Sequence, residues 1–150
     1  MANRYWVGGT GSWSAVNLLN WSTSSGGAGG ATVPTAADTA IFDASSGGGT
    51  VTLAANTTVL TFIPSAFTGT INFNSNIVSV AGNATTVYSG STAVTMTGTP
   101  RVNLTYAGGT GTRTITAGIA VTEANAVSFN VVSGSDIVSK SGNGVRLMNL

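Results

Sequence analysis

The 150-residue sequence contains no cysteine and no histidine. Without cysteine there are no disulfides, so strand hydrogen bonds and burial must hold the fold together. The same two absences exclude serine–histidine and cysteine–histidine nucleophile systems, and zinc sites built from thiolates or imidazoles. We therefore predict no catalytic residues, no metal site and no cofactor.

Charged residues are also scarce. They form 6% of the chain, against about 25% in ordinary globular domains, and the net charge is +1. The cations are scattered along the sequence as Arg4, Arg101, Arg113, Lys140 and Arg146. A nucleic-acid interface needs clustered lysine and arginine to replace the counterions of the phosphates. We therefore predict no nucleic-acid partner.

The only carboxylates are Asp38, Asp43, Glu123 and Asp136. A glycosidase needs two carboxyl groups about 5–10 Å apart, and the closeness of Asp38 and Asp43 in the sequence is weak evidence for such a pair. Both residues suit turns, because a short carboxylate accepts hydrogen bonds from nearby backbone N–H groups. We predict that the protein is not an enzyme.

Long apolar runs are missing. None approaches the ~18 residues that indicate a membrane-spanning helix, so we expect no membrane span. The start, Met1-Ala2-Asn3-Arg4, is not followed by the apolar core of a secretory signal peptide. This pattern favours assembly in a reducing cytoplasm, which also fits the lack of cysteine.

The residues that are abundant favour strands. Hydrophobic residues make up 42% of the chain, enough for a buried core, and Thr, Ser, Asn and Gly fill the positions between them. Helix formers are few, since glutamine is absent and glutamate and lysine occur once each. Threonine and valine are typical strand residues. We predict an almost wholly β structure with helix below about 10%.

From Thr50 onward, apolar residues sit two apart with Thr, Ser or Asn between them, which buries one face of a strand and exposes the other. The groups recur roughly every 9–12 residues, and turns such as Ala66-Phe67-Thr68-Gly69 separate them. The groups are Val51/Leu53, Leu60/Phe62, Ile71/Phe73, Val78/Val80, Val94/Met96, Val102/Leu104, Ile115, Ile119/Val121, Val127/Phe129/Val131, Ile137 and Val145/Leu147.

Strands this short and numerous predict an all-β, right-handed β-solenoid-like stack, with an antiparallel β-sandwich as the alternative. We divide the chain into a Trp- and Gly-rich capping motif, residues 1–49, and repeating short strands, residues 50–150. The last segment, Val145–Leu150, is apolar and has no polar cap, although terminal repeats need one. It predicts pairing with another chain or continuation into a longer protein; an internal strand that happens to end the chain is the third option.

The first part carries a resemblance. Tyr5-Trp6-Val7-Gly8-Gly9-Thr10-Gly11-Ser12-Trp13 is followed by Asn20-Trp21-Ser22, a Gly-rich stretch, Val33-Pro34 and Ile41-Phe42-Asp43. This pattern resembles the opening motif of β-solenoid surface proteins of environmental tailed bacteriophages, and it is similar to repeats in autotransporter passengers. Autotransporters need a signal peptide and a membrane barrel, and we expect neither in this protein. The phage proteins are therefore the closer likeness.

The resemblance implies a non-enzymatic structural protein displayed on the virion, either a capsid decoration or head fibre, or a tail-fibre segment. The implied partners are further copies of the chain and other capsid or tail proteins. A glycan-degrading tailspike enzyme fits the fold but lacks a credible acid/base pair. Whether the chain belongs to capsid or tail stays open at this point.

Four aromatic residues are the candidate site: Tyr5, Trp6, Trp13 and Trp21. Indole and phenol rings bury large areas while keeping a polar end that can find a partner. We expect them to cap the open end of the strand stack. The alternative is a carbohydrate-binding adhesin module, in which the rings contact a host surface glycan or another virion protein.

Overall fold

The computed structural model describes residues 1–14, 16–64, 66–80, 86–90, 95–98, 101–104, 112–117, 127–131, 137–141 and 145–148. These residues form sixteen short strands and two 3₁₀ helices, Leu18–Asn20 and Ala44–Ser46. The strands are β1 Ala2–Trp6, β2 Gly11–Trp13, β3 Trp21–Ser22, β4 Asp38–Ile41, β5 Thr50–Leu53, β6 Thr57–Val59, β7 Thr61–Ile63, β8 Thr70–Asn72, β9 Ile77–Val80, β10 Thr86–Gly90, β11 Thr95–Thr97, β12 Arg101–Leu104, β13 Thr112–Ala117, β14 Val127–Val131, β15 Ile137–Ser141 and β16 Val145–Met148.

The strands form three sheets. The first has the order β3-β1-β4-β7-β10-β13-β15, the second β2-β5-β8-β11, and the third β6-β9-β12-β14-β16. Among the described strands, only β1 and β3 pair antiparallel, and every other pairing is parallel. The prediction of an all-β fold is confirmed, and the antiparallel β-sandwich is wrong for these strands.

In β5, β8, β9 and β11, alternation along the strand sets the inner face, as the sequence pattern predicted. In β5, Val51 is buried while its neighbours Thr50 and Thr52 reach the surface. Parallel pairing stacks like residues upon one another. Val51 pairs with Ile71, and Ile71 pairs with Met96, so three buried side chains form one column of the second sheet. The threonines before them form a matching column on the outer face.

The chain turns a corner at Leu60, where the predicted pattern is wrong. The sequence places Leu60 and Phe62 on one face of a single strand. The structure instead has two strands, β6 in the third sheet and β7 in the first, with Leu60 half-buried between them. Val59 and Phe62 are the buried residues. The corner rotates the backbone, so the two-residue period does not continue across it.

The buried core runs through the layers between the three sheets. Phe67 is fully buried in it, although the sequence assigned this residue to a turn. The hydrophobic side chains of the core, within the part of the chain whose burial is described, are Trp6, Trp13, Trp21, Ala40, Phe42, Val51, Leu53, Val59, Phe62, Phe67, Ile71, Phe73, Val78, Val80, Met96 and Val102.

Small residues and side-chain amides let the layers meet at the corners. A Cβ on Gly69 would run into the carbonyl oxygen of Gly49 in the layer beside it. At another corner, Asn76 Nδ2 donates to the Leu53 carbonyl at 3.0 Å, and Ile77 N–H donates to Asn56 Oδ1 at 3.0 Å. These bonds join neighbouring layers where the strand ladders are interrupted.

Some predictions fall outside the described residues. They concern Val94, the Ile119/Val121 group, Glu123, Asp136 and the last two residues of the chain.

Candidate functional site

The three tryptophans lie together at the end of the molecule formed by β1, β2 and β3. Trp6 and Trp21 are completely buried and Trp13 is 2% exposed. Trp21 contacts both others, with ring centroids 5.3 Å from Trp6 and 5.2 Å from Trp13 in T-shaped arrangements. Edge-to-face contacts of this kind are favoured by the ring quadrupoles.

Phenylalanines extend this aromatic cluster into the strand stack. Phe42 contacts all three tryptophans, at centroid distances of 5.5 to 5.8 Å. From Phe42 the contacts continue to Phe67 at 5.6 Å and Phe62 at 6.0 Å, and from Phe62 to Phe73 at 6.4 Å. The tryptophans are therefore continuous with the core and are not a separate surface patch.

The polar ends of the rings differ in their partners. Trp6 Nε1 donates to the Gly9 carbonyl at 3.0 Å. Trp13 Nε1 and Trp21 Nε1 are buried and have no hydrogen-bond partner. A T-shaped contact sets the edge of one ring against the face of another, which is the setting in which a weak N–H···π interaction forms.

Tyr5 is the exception among the four predicted site residues. It is half-buried, outside the aromatic cluster, and its hydroxyl accepts a hydrogen bond from Asn3 Nδ2 at 3.4 Å. The structure therefore brings together Trp6, Trp13 and Trp21, and it leaves Tyr5 at the surface of β1.

The segment between β2 and β4 folds over the tryptophans. Val7 N–H donates to the Asn20 carbonyl at 2.8 Å, and Ala31 N–H donates to the Trp21 carbonyl at 2.9 Å. Ala31 and Val33 pack against the core from outside. This cover leaves no tryptophan ring face open to solvent, which is the arrangement expected of a cap. We call the segment between β2 and β4 the cap.

Asp38 ties this cap to the first strands. The carboxylate is 8% exposed and accepts from Ala2 N–H at 3.2 Å, Thr35 N–H at 3.2 Å and Thr35 Oγ1 at 2.8 Å. Burial by itself raises the pKa of Asp38. The hydrogen bonds from Thr35 and Ala2, together with the nearby Arg4 guanidinium, outweigh burial and lower the pKa below its ordinary value.

Asp43 has the corresponding role in the next turn. Its Oδ1 accepts from Ser45 N–H at 2.9 Å and caps the 3₁₀ helix Ala44–Ser46, while Asp43 N–H donates to Ser46 Oγ at 3.0 Å. The prediction that Asp38 and Asp43 tie down turn N–H groups is confirmed.

A groove opens beside the cap, at the corner where β2 ends and β6 begins. Its volume is about 340 Å³. It is lined by Trp13, Ser14 and Leu18, by the segment 32–35 and by the segment 55–57. We refer to the first two sets of residues as its walls and to the segment 55–57 as its floor. None of these residues is charged.

Exposed apolar side chains flank the groove. Leu18 in its wall is 44% exposed, and its neighbours Leu19 and Val16 are 76% and 86% exposed. The groove could not be found from the sequence, because three segments far apart in the sequence build it. The apolar residues Val16, Leu18 and Leu19, close together before Trp21, were the one local indication.

In the part of the chain that the structure describes, no three or more Asp and Glu side chains cluster in a way that could hold a metal ion. None of the described helices is long and apolar enough to cross a membrane. Comparisons with models of protein families, with curated proteins and with solved structures found no match to this chain.

Proposed function

We propose that the protein is a non-enzymatic structural component of a tailed-bacteriophage virion, displayed on the particle surface as a capsid decoration or head fibre, or as a tail-fibre segment. The observation that carries the proposal is the closed aromatic end on a stack of in-register parallel strands. The residues that build this end, Trp6, Trp13, Trp21 and Phe42, belong to the motif that resembles phage surface proteins.

The strand order supports a β-solenoid as the finer description of the fold. The chain visits the first, second and third sheets in the same order as it passes through β4, β5 and β6, then β7, β8 and β9, then β10, β11 and β12. From β4 onward, paired residues lie about 18 to 28 positions apart, close to the lower end of the periods of solenoid repeats, about 20 residues. Parallel crossovers are nearly always right-handed, which favours a right-handed coil.

The surface chemistry supports a role in assembly. Edge strands are usually protected from pairing by lysine and other charges, whereas the segments 5–37 and 44–100 contain no charged residue. We propose that the protein functions as a homo-oligomer, as a chain docked on other virion proteins, or as both. A permanent interface of this kind buries at least ~1,000 Å².

The described carboxylates fit this non-catalytic role. Asp38 and Asp43 are both committed to hydrogen bonds within turns. Burial of the tryptophans argues against the adhesin alternative, because a sugar needs an exposed ring face for stacking. Binding of a host glycan through these rings would require the cap to open.

The test uses purified phage particles whose genome encodes this sequence. Mass spectrometry of particles separated on a density gradient should detect the chain in a fixed ratio to the major capsid protein. An electron cryo-microscopy map should then place the strand stack on the outside of the capsid or tail. A chain that stays with the host-cell lysate and is absent from intact particles would overturn the assignment.

A further inference from the structure

We propose that the groove between the cap and β6 is a docking site for an extended, uncharged peptide segment of a partner protein, which adds to the third sheet next to β6. The inference deepens the proposed function, on which it rests for the identity of the partner as another virion protein.

The three sheets do not end at the same level. The first sheet continues past β4 with β1 and β3, and the second continues past β5 with β2, but the third ends at β6. In place of a third strand in this layer, the chain makes the cap. The described sheets therefore have a step at this corner, and the groove lies in it.

The strand at the bottom of the step has one neighbour. β6 pairs with β9 on one side and is the terminal strand of its sheet on the other. The terminal strand of a sheet presents backbone N–H and C=O groups that another strand can pair with. An extended peptide satisfies these groups along its whole length, and this is the basis of recognition by strand addition.

The cap covers the core here without completing the sheet. Pro34 is buried in the groove wall and has no backbone N–H to donate. Asn56 on the floor is exposed, and its Oδ1 accepts from Ile77 N–H in β9, on the other side of β6. The paired side of β6 is therefore tied to β9, and the side at the step is the one left for a partner.

The charge distribution selects the chemistry of the partner. Between Arg4 and Asp38, and from Ala44 to Pro100, the sequence has no charged residue. Charged side chains brought into the groove would lose hydration without gaining an opposite charge. Leu18, Leu19 and Val16 add exposed apolar surface beside the groove. The segment that fits is therefore uncharged and rich in threonine and aliphatic residues.

The step also argues against end-to-end docking of a second copy, in which the sheets of the two chains would continue one another. β2 stands one strand spacing beyond β6, and β3 stands two, at about 4.8 Å for each strand. A whole sheet end would meet these projecting strands before it reached β6. A single extended segment is one strand wide and does not have to meet them.

The probe is an N-acetylated, C-amidated hexapeptide with the sequence of residues 55–60, which is uncharged and copies the strand that it would pair with. It is titrated into the ¹⁵N-labelled full chain and followed by NMR. We expect saturable shift changes confined to the groove, including Trp13 and Thr57. The same peptide with proline at its third position lacks a backbone donor and is expected to bind at least about tenfold more weakly.

Variants of the chain locate the site. Ala55→Trp fills the groove from its exposed floor and is expected to weaken peptide binding at least about tenfold. Thr32→Trp fills it from the segment 32–35 and serves if the first variant does not fold. Ala66→Trp changes another exposed alanine, outside the groove; it is the matched control and should leave binding within about twofold.

Three outcomes would overturn the inference: a folded wild-type chain that does not bind the peptide, equal binding of the proline peptide, or a dimer of the chain that only Ala55→Trp or Thr32→Trp abolishes. The last outcome identifies a second copy as the occupant. If particles contain the chain but the peptide does not bind, only the docking site fails. If the peptide binds but particles lack the chain, the proposed function fails instead.

Discussion

At the scale of single residues, the aromatic cluster concentrates stability at one end of the molecule. Large rings bury more apolar area than any aliphatic side chain, and here they close a stack whose interior would otherwise meet water. The sequence suggested burial of Trp6, Trp13 and Trp21 because indole rings bury large areas while keeping a polar end, although the same rings also fitted a sugar-binding surface. It did not predict Phe67, because an apolar residue between small turn residues has no periodic neighbours.

The tryptophans should therefore differ measurably when they are replaced. We expect Trp13→Ala and Trp21→Ala to lower the free energy of unfolding by about 3–5 kcal/mol, since each leaves a large cavity. Trp6→Phe should cost about 0.5–1 kcal/mol more than Trp21→Phe, because only the first substitution removes a hydrogen bond, the one from Nε1 to Gly9. Urea denaturation followed by circular dichroism measures these differences, and equal costs for the two phenylalanine variants would contradict the hydrogen-bond account.

Asp38 should make stability depend on pH in the acid range. Its pKa is lowered in the folded state, so its contribution is present above the pKa of the unfolded chain and is lost as the pH falls through the folded value. We expect Asp38→Asn to be less stable than the wild type at pH 7, with a gap that closes below about pH 4. Thr35→Val removes the hydroxyl donor to Asp38, so the stability of this variant should change less between pH 3 and pH 7 than that of the wild type. Thermal melts across pH 3–7 test both variants. A gap that stays constant with pH would show that the carboxylate charge does not contribute.

At the scale of strands and corners, local periodicity predicted the strands and could not predict their partners. The two-residue alternation of Val51/Leu53 or Val78/Val80 is a property of one strand, and the structure confirms it. Which strand lies beside which depends on where the chain turns. From β4 onward, consecutive strands lie in different sheets, so β5 pairs with β2 and β8 and not with β4 or β6, its neighbours in the sequence.

The glycines at corners give a direct test of how tightly the layers are stacked. Gly69→Ala should destabilise the protein by about 1–3 kcal/mol, because the new Cβ would collide with the backbone carbonyl of Gly49. Gly48→Ala is the matched control, since its Cβ would meet only Thr68 Oγ1 at 3.7 Å. We expect the control to be neutral or slightly stabilising through the unfolded state. Differential scanning calorimetry distinguishes the two, and a Gly69→Ala melting temperature equal to that of Gly48→Ala would refute the close approach.

At the scale of the whole molecule, the low charge governs how the chain meets other proteins. The sequence was sufficient for an all-β fold, because this follows from composition and local pattern. It was insufficient for the step at the third sheet, because the groove in the step forms only where Trp13, Ser14 and Leu18 come together with the segments 32–35 and 55–57. The docking site that we propose rests on this part of the surface.

Association of this chain should therefore be insensitive to ordinary salt. Interactions between charges weaken as ionic strength rises, but 6% charged residues and a net charge of +1 leave few charges to screen. Sulfate, in contrast, strengthens apolar burial. We expect light scattering of the isolated chain to show an oligomer whose dissociation constant changes less than about threefold between 0.05 and 0.5 M sodium chloride, and which tightens in ammonium sulfate. An oligomer that dissociates in sodium chloride would indicate that the scattered arginines hold it together. A monomer at every concentration would contradict self-association. Docking on another protein would then be the remaining use of this surface.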